Sequence, residues 1–398
     1  LSVRKRTWTT PKGEAKTAWV VDYVDGTGKR RLKSFKLKKA ADAFAATAHV
    51  EVRDGTHTAD RASATVAEAG KFWITSGVAA GLERATIKDY EAQLRLHIVP
   101  FIGAARLSTL SIAKVRAFED ELRNAGRSPA MTKKVLVTLG SLIADAQERG
   151  LVSRNIVRDM KARRGSGETR QMQRHRGRLK IGADIPTVAD VKSLLGAVSG
   201  RWRPLVLVAT FCGLRASELR GLRWSDVDFD KREVRVHQRA DRFNDIGSPK
   251  SISGERVVPA PPMVINALRE WKLAAPPSDL DLVFANGSGK VETLGNILRR
   301  GLHPAWIAAG VVVDTGEVDA KGKPVLVPRY TGMHCLRHWF ASWCVNRKED
   351  GGLALSPKIV QERMGHSTIA MTMDTYGHLF PRADDADEMA AAERAFLA

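Results

Sequence analysis

Cysteine is scarce in this chain: three in 398 residues, an odd number at wide spacing. That usage argues against a disulfide framework and fits a reducing, cytoplasmic location. No apolar run approaches the roughly 20 residues needed to span a bilayer, so no membrane partner is expected. The N-terminus is basic but no hydrophobic stretch follows it, so no secretory signal is expected. Leu1 is not an initiator methionine, and a few residues are expected to precede it. Gly287-Ser-Gly289 is followed by no GKS or GKT, which leaves a turn rather than a phosphate-binding loop. No internal repeat is visible. Acidic side chains are in deficit: 44 Asp and Glu face 64 Lys and Arg, a formal net charge of +20. An excess of that size calls for a polyanionic partner, nucleic acid before any other. Hydrophobic residues make up 43%, enough for ordinary cores, and the length allows two or three domains.

Periodicity divides the chain. Residues 1–62 form a small basic unit. WVVDYVD and KRRLKSFKL alternate as strands do, Gly26-Thr27-Gly28 turns between them, and Lys38 to Arg53 has the alanine-rich pattern of a helix. Arg30, Arg31, Lys33 and Lys36 would give the sheet a basic face for DNA. Residues 63–162 are expected to be all-helical. Thr65 with Glu68 makes a capping box, and Ser111 and Ser128 are placed to cap later helices. Residues 163–186, a basic, glycine-spotted stretch, lack the apolar content to bury a core. Their arginines, Arg163 and Arg164 among them, are candidates for phosphate contact. A new capping signal, Thr187 with Asp190, opens residues 187–382, expected to be mainly helical with a small sheet around Lys250. The segment 311–328 has the pattern of an inserted hairpin. Residues 383–398 form an alanine-rich helix candidate whose Met389, Ala390, Ala391, Phe396 and Leu397 make an apolar stripe. The fold class expected is mainly α with small β-sheets, α+β, in three domains.

Chemistry-bearing residues recur along the second half in one order. Arg215 lies in TFCGLRASELRGLRWSDVD, and Lys250 in SPKSISGERVVPAP. His334 and Arg337 lie in TGMHCLRHWFAS, and His366 and Tyr376 in ERMGHSTIAMTMDTYGHL. Singly, each has an ordinary explanation. An arginine after Gly-Leu is commonly a helix-start residue, and a tyrosine is commonly a core residue. His334 and His338, four apart, hint at a zinc helix. Cys335 stands where the HExxH glutamate would be, and no third ligand cluster appears, so no metal or other cofactor is expected. Cys212 and Cys335 are expected to fill core space.

Taken in register, the four phrases resemble the tyrosine recombinase family, specifically the phage-type integrases. The resemblance implies cleavage of a DNA phosphodiester by a tyrosine without a metal. Arg215 and Arg337 match the family's phosphate-clamping arginines; a guanidinium stays charged and donates two parallel hydrogen bonds. Tyr376 matches the nucleophile and His334 the base. His366 matches a donor to a non-bridging oxygen, and Lys250 the hairpin lysine that protonates the leaving 5′-oxygen. Glu218 matches an accessory acidic position that buttresses the site, and WSDVDFD a structural turn. The phrase HIVPFIGAARLSTLS and its four helices resemble the family's core-binding domain, and residues 1–62 its arm-type DNA-binding domain. The implied partners are double-stranded DNA at core and arm attachment sites and three further copies of the chain in a homotetramer. A host DNA-bending protein and a directionality factor complete the expected set. The implied course is a 3′-phosphotyrosine intermediate and a Holliday junction, with the tail 383–398 exchanged between protomers. The competing readings are a transposon or plasmid recombinase, a dimer resolvase, a type IB topoisomerase and a DNA-binding regulator with a decayed site.

Overall fold

The computed structural model describes residues 1–11, 13–25, 28–53, 63–160, 178–381 and 385–397. Arg163 and Arg164 therefore lie outside the described residues. The chain divides into two compact units, Leu1–Arg164 and Gly165–Ala398.

The first unit holds two separate cores. Strands β1 (Ser2–Thr9), β2 (Ala15–Val24) and β3 (Arg30–Phe35) form an antiparallel sheet in that order. One sheet face, with Val3, Trp19, Val21, Tyr23 and Phe35, packs on Ala41, Phe44 and Ala45 of the helix Lys38–Arg53. Strand alternation divides the basic residues of β3. Arg31 and Lys33 fall on the helix side with Phe35, and Lys33 Nζ sits 4.2 Å from the centre of the Phe44 ring. Arg30 falls on the opposite side, where it shares Asp22 with Arg4; Arg31 pairs with Asp25. Lys36 follows the strand, fully on the surface. The four cations expected to share one face thus occupy two, because successive side chains of a strand point to opposite sides.

The second core is helical. Val66–Ala79 starts at the Thr65 and Glu68 capping box, Ile112–Asn124 at Ser111 and Pro129–Glu148 at Ser128, each side chain accepting a free backbone N–H. Arg84–Gln93 runs on through a π-helical turn, Leu94–Ile98, before its last residues Val99–Ile102. Trp73, Leu94, Ile98, Phe118, Leu122, Leu139 and Leu142 close the core.

In the second unit, Val188–Ala197 begins at the Thr187 and Asp190 capping box. The apolar helix Trp202–Cys212 buries nearly every side chain. It packs with Pro262–Ala274 and His334–Val345 around Leu207, Val234, Val258, Leu268, Trp306, Leu336 and Phe340. Strands β4 (Val227–Asp228), β5 (Glu233–Val236) and β8 (Arg256–Pro259) make an antiparallel sheet. The connection from β5 to β8 contains a hairpin, β6 (Arg239–Ala240) with β7 (Ile246–Gly247). Asp226 of the WSDVDFD segment is buried, pairing with Arg223 and His237, as befits a turn that holds the fold. The segment 311–328 is the expected hairpin, β9 (Val312–Val318) with β10 (Pro324–Pro328). The tail helix Asp385–Leu397 leaves Met389, Phe396 and Leu397 exposed. Among the described residues no helix is long and apolar enough to cross a membrane.

Two glycines end helices beside one another's partners. Gly213 (φ 61°) closes Trp202–Cys212, and Gly365 (φ 61°) closes Pro357–Met364. A left-handed residue there turns the chain sharply and ends the helix; the carbonyls of Gly213, Met364 and Gly365 accept from arginine side chains. At Gly213 a side chain is also sterically excluded: a Cβ would lie 2.1 Å from Phe340 Cδ1. Gly213→Ala should therefore destabilise the second unit by about 3 kcal/mol, the left-handed penalty plus overpacking. Gly310→Ala, at φ 70° with open space around it, should cost only about 1 kcal/mol. Urea-unfolding midpoints of the two variants should separate accordingly; equal midpoints would show that the Phe340 contact relaxes freely.

Candidate active site

Glu218 organises the site from below. It stands three residues after Arg215, at the third position of the helix Ala216–Gly221, and its Oε2 accepts the Arg215 backbone N–H at 2.8 Å. Oε1 accepts from Arg215 Nη1 at 2.7 Å. Arg256, at the start of β8, closes on the same carboxylate with Nη2 at 2.8 Å and Nη1 at 3.3 Å. Arg256 Nε donates to the Arg363 carbonyl at 2.8 Å, which ties β8 to the helix Pro357–Met364. Burial alone would raise the Glu218 carboxyl; Arg256, then Arg215 and Arg337, outweigh it and bring the pKa down to about 2. The carboxylate is therefore ionised at every working pH.

Arg337 is buried, 2% exposed, with no carboxylate against its fork. Nη1 donates to the Gly213 carbonyl at 2.6 Å, and Nη2 to the Met364 carbonyl. Arg215 Nη2 takes the neighbouring Gly365 carbonyl at 3.1 Å. Two helix C-termini thus aim unpaired carbonyls at two guanidinium groups, the arrangement that favours cations at that end of a helix. Burial, then the charges of Arg215 and Arg256, pulls the Arg337 pKa down to about 9. Each Nη carries a second N–H, so both arginines retain donors for an anion. An anion placed between them would relieve the crowding of positive charge.

Tyr376 ends the helix Ile369–Tyr376, which Thr368 caps. Its side chain is buried, and burial raises the phenol pKa to about 12 against the opposing pull of Arg337 and Arg215. The hydroxyl lies 2.8 Å from His338 Nδ1. His366 stacks parallel to the phenol, centroids 6.1 Å apart and planes 2° apart. His366 Nδ1 meets the buried Thr372 hydroxyl at 2.9 Å. The imidazole is neutral, since burial and the nearby Arg337, Arg215 and Arg256 bring its pKa down to about 4. If Thr372 donates to Nδ1, the His366 proton lies on Nε2, from where it can be donated. His334 is more open: its ring meets His338 edge-on at 4.8 Å. Desolvation, Arg337 and Arg215 lower its pKa too.

The structure brings together Arg215, Glu218, Arg337, His366 and Tyr376, with His334 at the margin. It leaves Lys250 apart, exposed on the connection between β7 and β8, and no hydrogen bond joins Lys250 to the cluster. Arg30, Arg31, Lys33 and Lys36 belong to the other unit. Among the described residues no group of three His, Cys, Asp or Glu is gathered to hold a metal. Cys212 and Cys335 are buried thiols, and burial raises both pKa values to about 12. Two residues were not singled out as site residues from sequence: Arg256, six positions after Lys250, and His338, directly after Arg337. His338 was legible only as the second member of an i, i+4 histidine pair.

Residues 187–382 match the model of the phage integrase family. The chain is 27% identical over 383 residues to a XerC-like tyrosine recombinase of Caldanaerobacter subterraneus subsp. tengcongensis, covering 90% of each chain. It is 33% identical over 189 residues to the transposase of transposon Tn916 from Enterococcus faecalis, 44% of this chain and 41% of that one. Its fold matches the Tn1549 transposon integrase in complex with a circular intermediate DNA (TM-score 0.61, 19% identity), covering 83% of this chain and 100% of that one. It also matches a lambda integrase tetramer bound to a Holliday junction (TM-score 0.52, 17% identity), covering 91% and 95%. Residues 187–382 are thus a phage integrase domain of the tyrosine recombinases, site-specific enzymes that cleave and rejoin DNA.

Proposed function

We propose that this chain integrates and excises a mobile element, with the clustered residues in the roles their geometry suits. The observation that carries the reading is the buried phenol of Tyr376 set among two arginines and a neutral, donor-ready histidine. The scissile phosphate would sit against the spare N–H groups of Arg215 and Arg337. Their charge offsets what builds up on the non-bridging oxygens in the pentacoordinate transition state. His366 Nε2 would donate to one of those oxygens. Tyr376 Oη attacks phosphorus, the bond to O5′ breaks, and a 3′-phosphotyrosine forms. Lys250 supplies the proton that O5′ needs, and the resemblance gives the base to His334. A 5′-hydroxyl from a second duplex can then reverse the step without ATP, which exchanges strands through a Holliday junction.

The division of labour follows the organisation of the chain. Residues 1–62 would read arm sites, 63–162 the core site, and the basic stretch 163–186, with Arg163 and Arg164, the phosphates between. Of these four cations Lys36, exposed just after β3, is the best placed for DNA, since Arg30 pairs with Asp22, Arg31 with Asp25, and Lys33 sits over Phe44. The exposed apolar side chains of the tail helix suit docking on a neighbouring protomer of a tetramer. A host DNA-bending protein and a directionality factor would complete the assembly. The likeness to the Tn916 transposase favours a second reading, in which the element is a transposon rather than a phage.

Three measurements check these roles. A nicked suicide duplex carrying the element's junction should trap a covalent adduct with the native chain. Tyr376→Phe should bind that duplex unchanged and form no adduct, and a persisting adduct would mean another nucleophile. Lys250→Ala should slow cleavage by roughly 10²–10⁴-fold, with rescue by a 5′-bridging sulfur, whose thiolate leaves without a proton. Equal defects on both substrates would remove Lys250 from the acid's role. Glu218 contributes to folding through its depressed pKa, about 2 against an ordinary 4.5. The sign follows: the contribution is complete above about pH 4.5 and lost as pH falls toward 2, at most about 3 kcal/mol. Urea unfolding of Glu218→Gln should show lower stability at pH 7 and a flatter decline below pH 4.5 than the native chain. Parallel curves would show that the carboxylate is not coupled to Arg256.

A further inference from the structure

We propose that His338, rather than His334, holds the Tyr376 hydroxyl through Nδ1 and receives its proton when the phosphotyrosine bond forms. The inference rests on the recombinase reading above and deepens it. Its basis is geometric. The phenol has one O–H, and His338 Nδ1 lies 2.8 Å from it. The imidazole and phenol centroids are 5.8 Å apart at 60°. The helix His334–Val345 places residues 334, 337 and 338 along one side, and only residue 338 reaches the hydroxyl.

The direction of this hydrogen bond follows from its surroundings. Arg337 and Arg215, whose charges act on the phenol, are donors only and cannot accept its hydrogen. If Nδ1 were protonated, it would donate to Oη and the phenol hydrogen would be left buried without an acceptor, a costly arrangement. Nδ1 is therefore bare and the ring proton lies on Nε2. Burial, then His334 and Arg337, brings the His338 pKa down to about 4, which keeps the ring uncharged and ready to accept. With the O–H directed at Nδ1, both oxygen lone pairs remain free for phosphorus.

In the reaction, the Oη–phosphorus bond forms as the bond from phosphorus to O5′ breaks. The phenol proton passes to His338 Nδ1, and Lys250 gives a proton to O5′. Resealing returns both. The resting site disfavours a charged imidazole chiefly through burial, with His334 and then Arg337 adding to it. The bound phosphodiester brings a negative charge to Arg337 and Arg215, which offsets that penalty at the moment the proton moves. Proton acceptance is therefore coupled to occupancy of the site by DNA.

Two experiments test this. The first needs no DNA. In the intact chain with ¹⁵N-labelled histidine, the His338 resonances should show an unprotonated Nδ1 and a protonated Nε2, and Nδ1 should shift when Tyr376→Phe is introduced. A protonated Nδ1, or a spectrum indifferent to Tyr376→Phe, overturns the pairing. The second is single-turnover adduct formation on the nicked junction duplex. His338→Leu should slow it on the order of 100-fold with unchanged duplex affinity. His338→Asn, which restores an acceptor near the Nδ1 position but barely any basicity, should recover part of the loss and no more. Leu at the native rate overturns the proposal, and Asn at the native rate overturns the proton transfer while leaving the placement. If the native chain itself formed no adduct, the recombinase reading would fall, while the ¹⁵N spectra would still decide the pairing. If His338→Leu lost duplex binding through misfolding, the Asn variant and the spectra would carry the decision.

Discussion

Everything in the catalytic unit leans on the burial of guanidinium groups without enough carboxylate to match them. Arg215 and Arg256 share the carboxylate of Glu218, and Arg337 feels its charge without a hydrogen bond to it. The shortfall is met by backbone: carbonyls of Gly213, Met364, Gly365 and Arg363 accept from the three side chains. Partial charges at helix ends are weaker than a carboxylate. The cluster is thereby held in place yet left with an excess of positive charge that suits the proposed phosphodiester. A second buried carboxylate would have made the fold easier to assemble and the site useless for anions.

That arrangement dictates local structure some distance away. The two helices must end where they do, with left-handed glycines that release carbonyls toward the arginines. Phe340 can then pack directly over Gly213, one helical turn from Arg337 on the same helix. The order of the motifs along the chain is thus a folding requirement as well as a chemical one. The Gly-Leu-Arg phrase supplies a carbonyl and a guanidinium, the His-x-x-Arg phrase supplies the buried cation, and the Met-Gly-His phrase supplies two carbonyls and an imidazole.

Much of this was legible in the sequence. The caps at Thr65, Ser111, Ser128 and Thr187 each made the expected hydrogen bond, because capping depends only on residues three apart. The hairpin at 311–328 and the helix Lys38–Arg53 were equally local. What could not be read was the choice between side chains that share a helix face. His334 and His338 are both near Arg337, and only the tertiary position of the helix Ile369–Tyr376 decides which meets the phenol. Arg256 looked like any charge on an edge strand; its burial depends on Glu218, 38 residues earlier. The basic residues of β3 were grouped by composition, whereas the two-residue period of a strand separates them. The π-helical turn at Leu94–Ile98 left no mark in the pattern, since one extra residue per turn only shifts which apolar side chains face the core.

The placement of Lys250 has a consequence for how such a chain can change over time. Tyr376, His366 and Arg337 are buried in the core, where most substitutions disturb folding. Lys250, the proposed proton donor, rides on an exposed connection, and among the described residues no hydrogen bond joins it to them. On the proposed roles, rate and architecture would be encoded in separable stretches of sequence. Lineages can retune how fast a strand is released, or how strictly release waits for a well-seated duplex, by altering a few surface positions between β7 and β8, while the buried apparatus stays untouched.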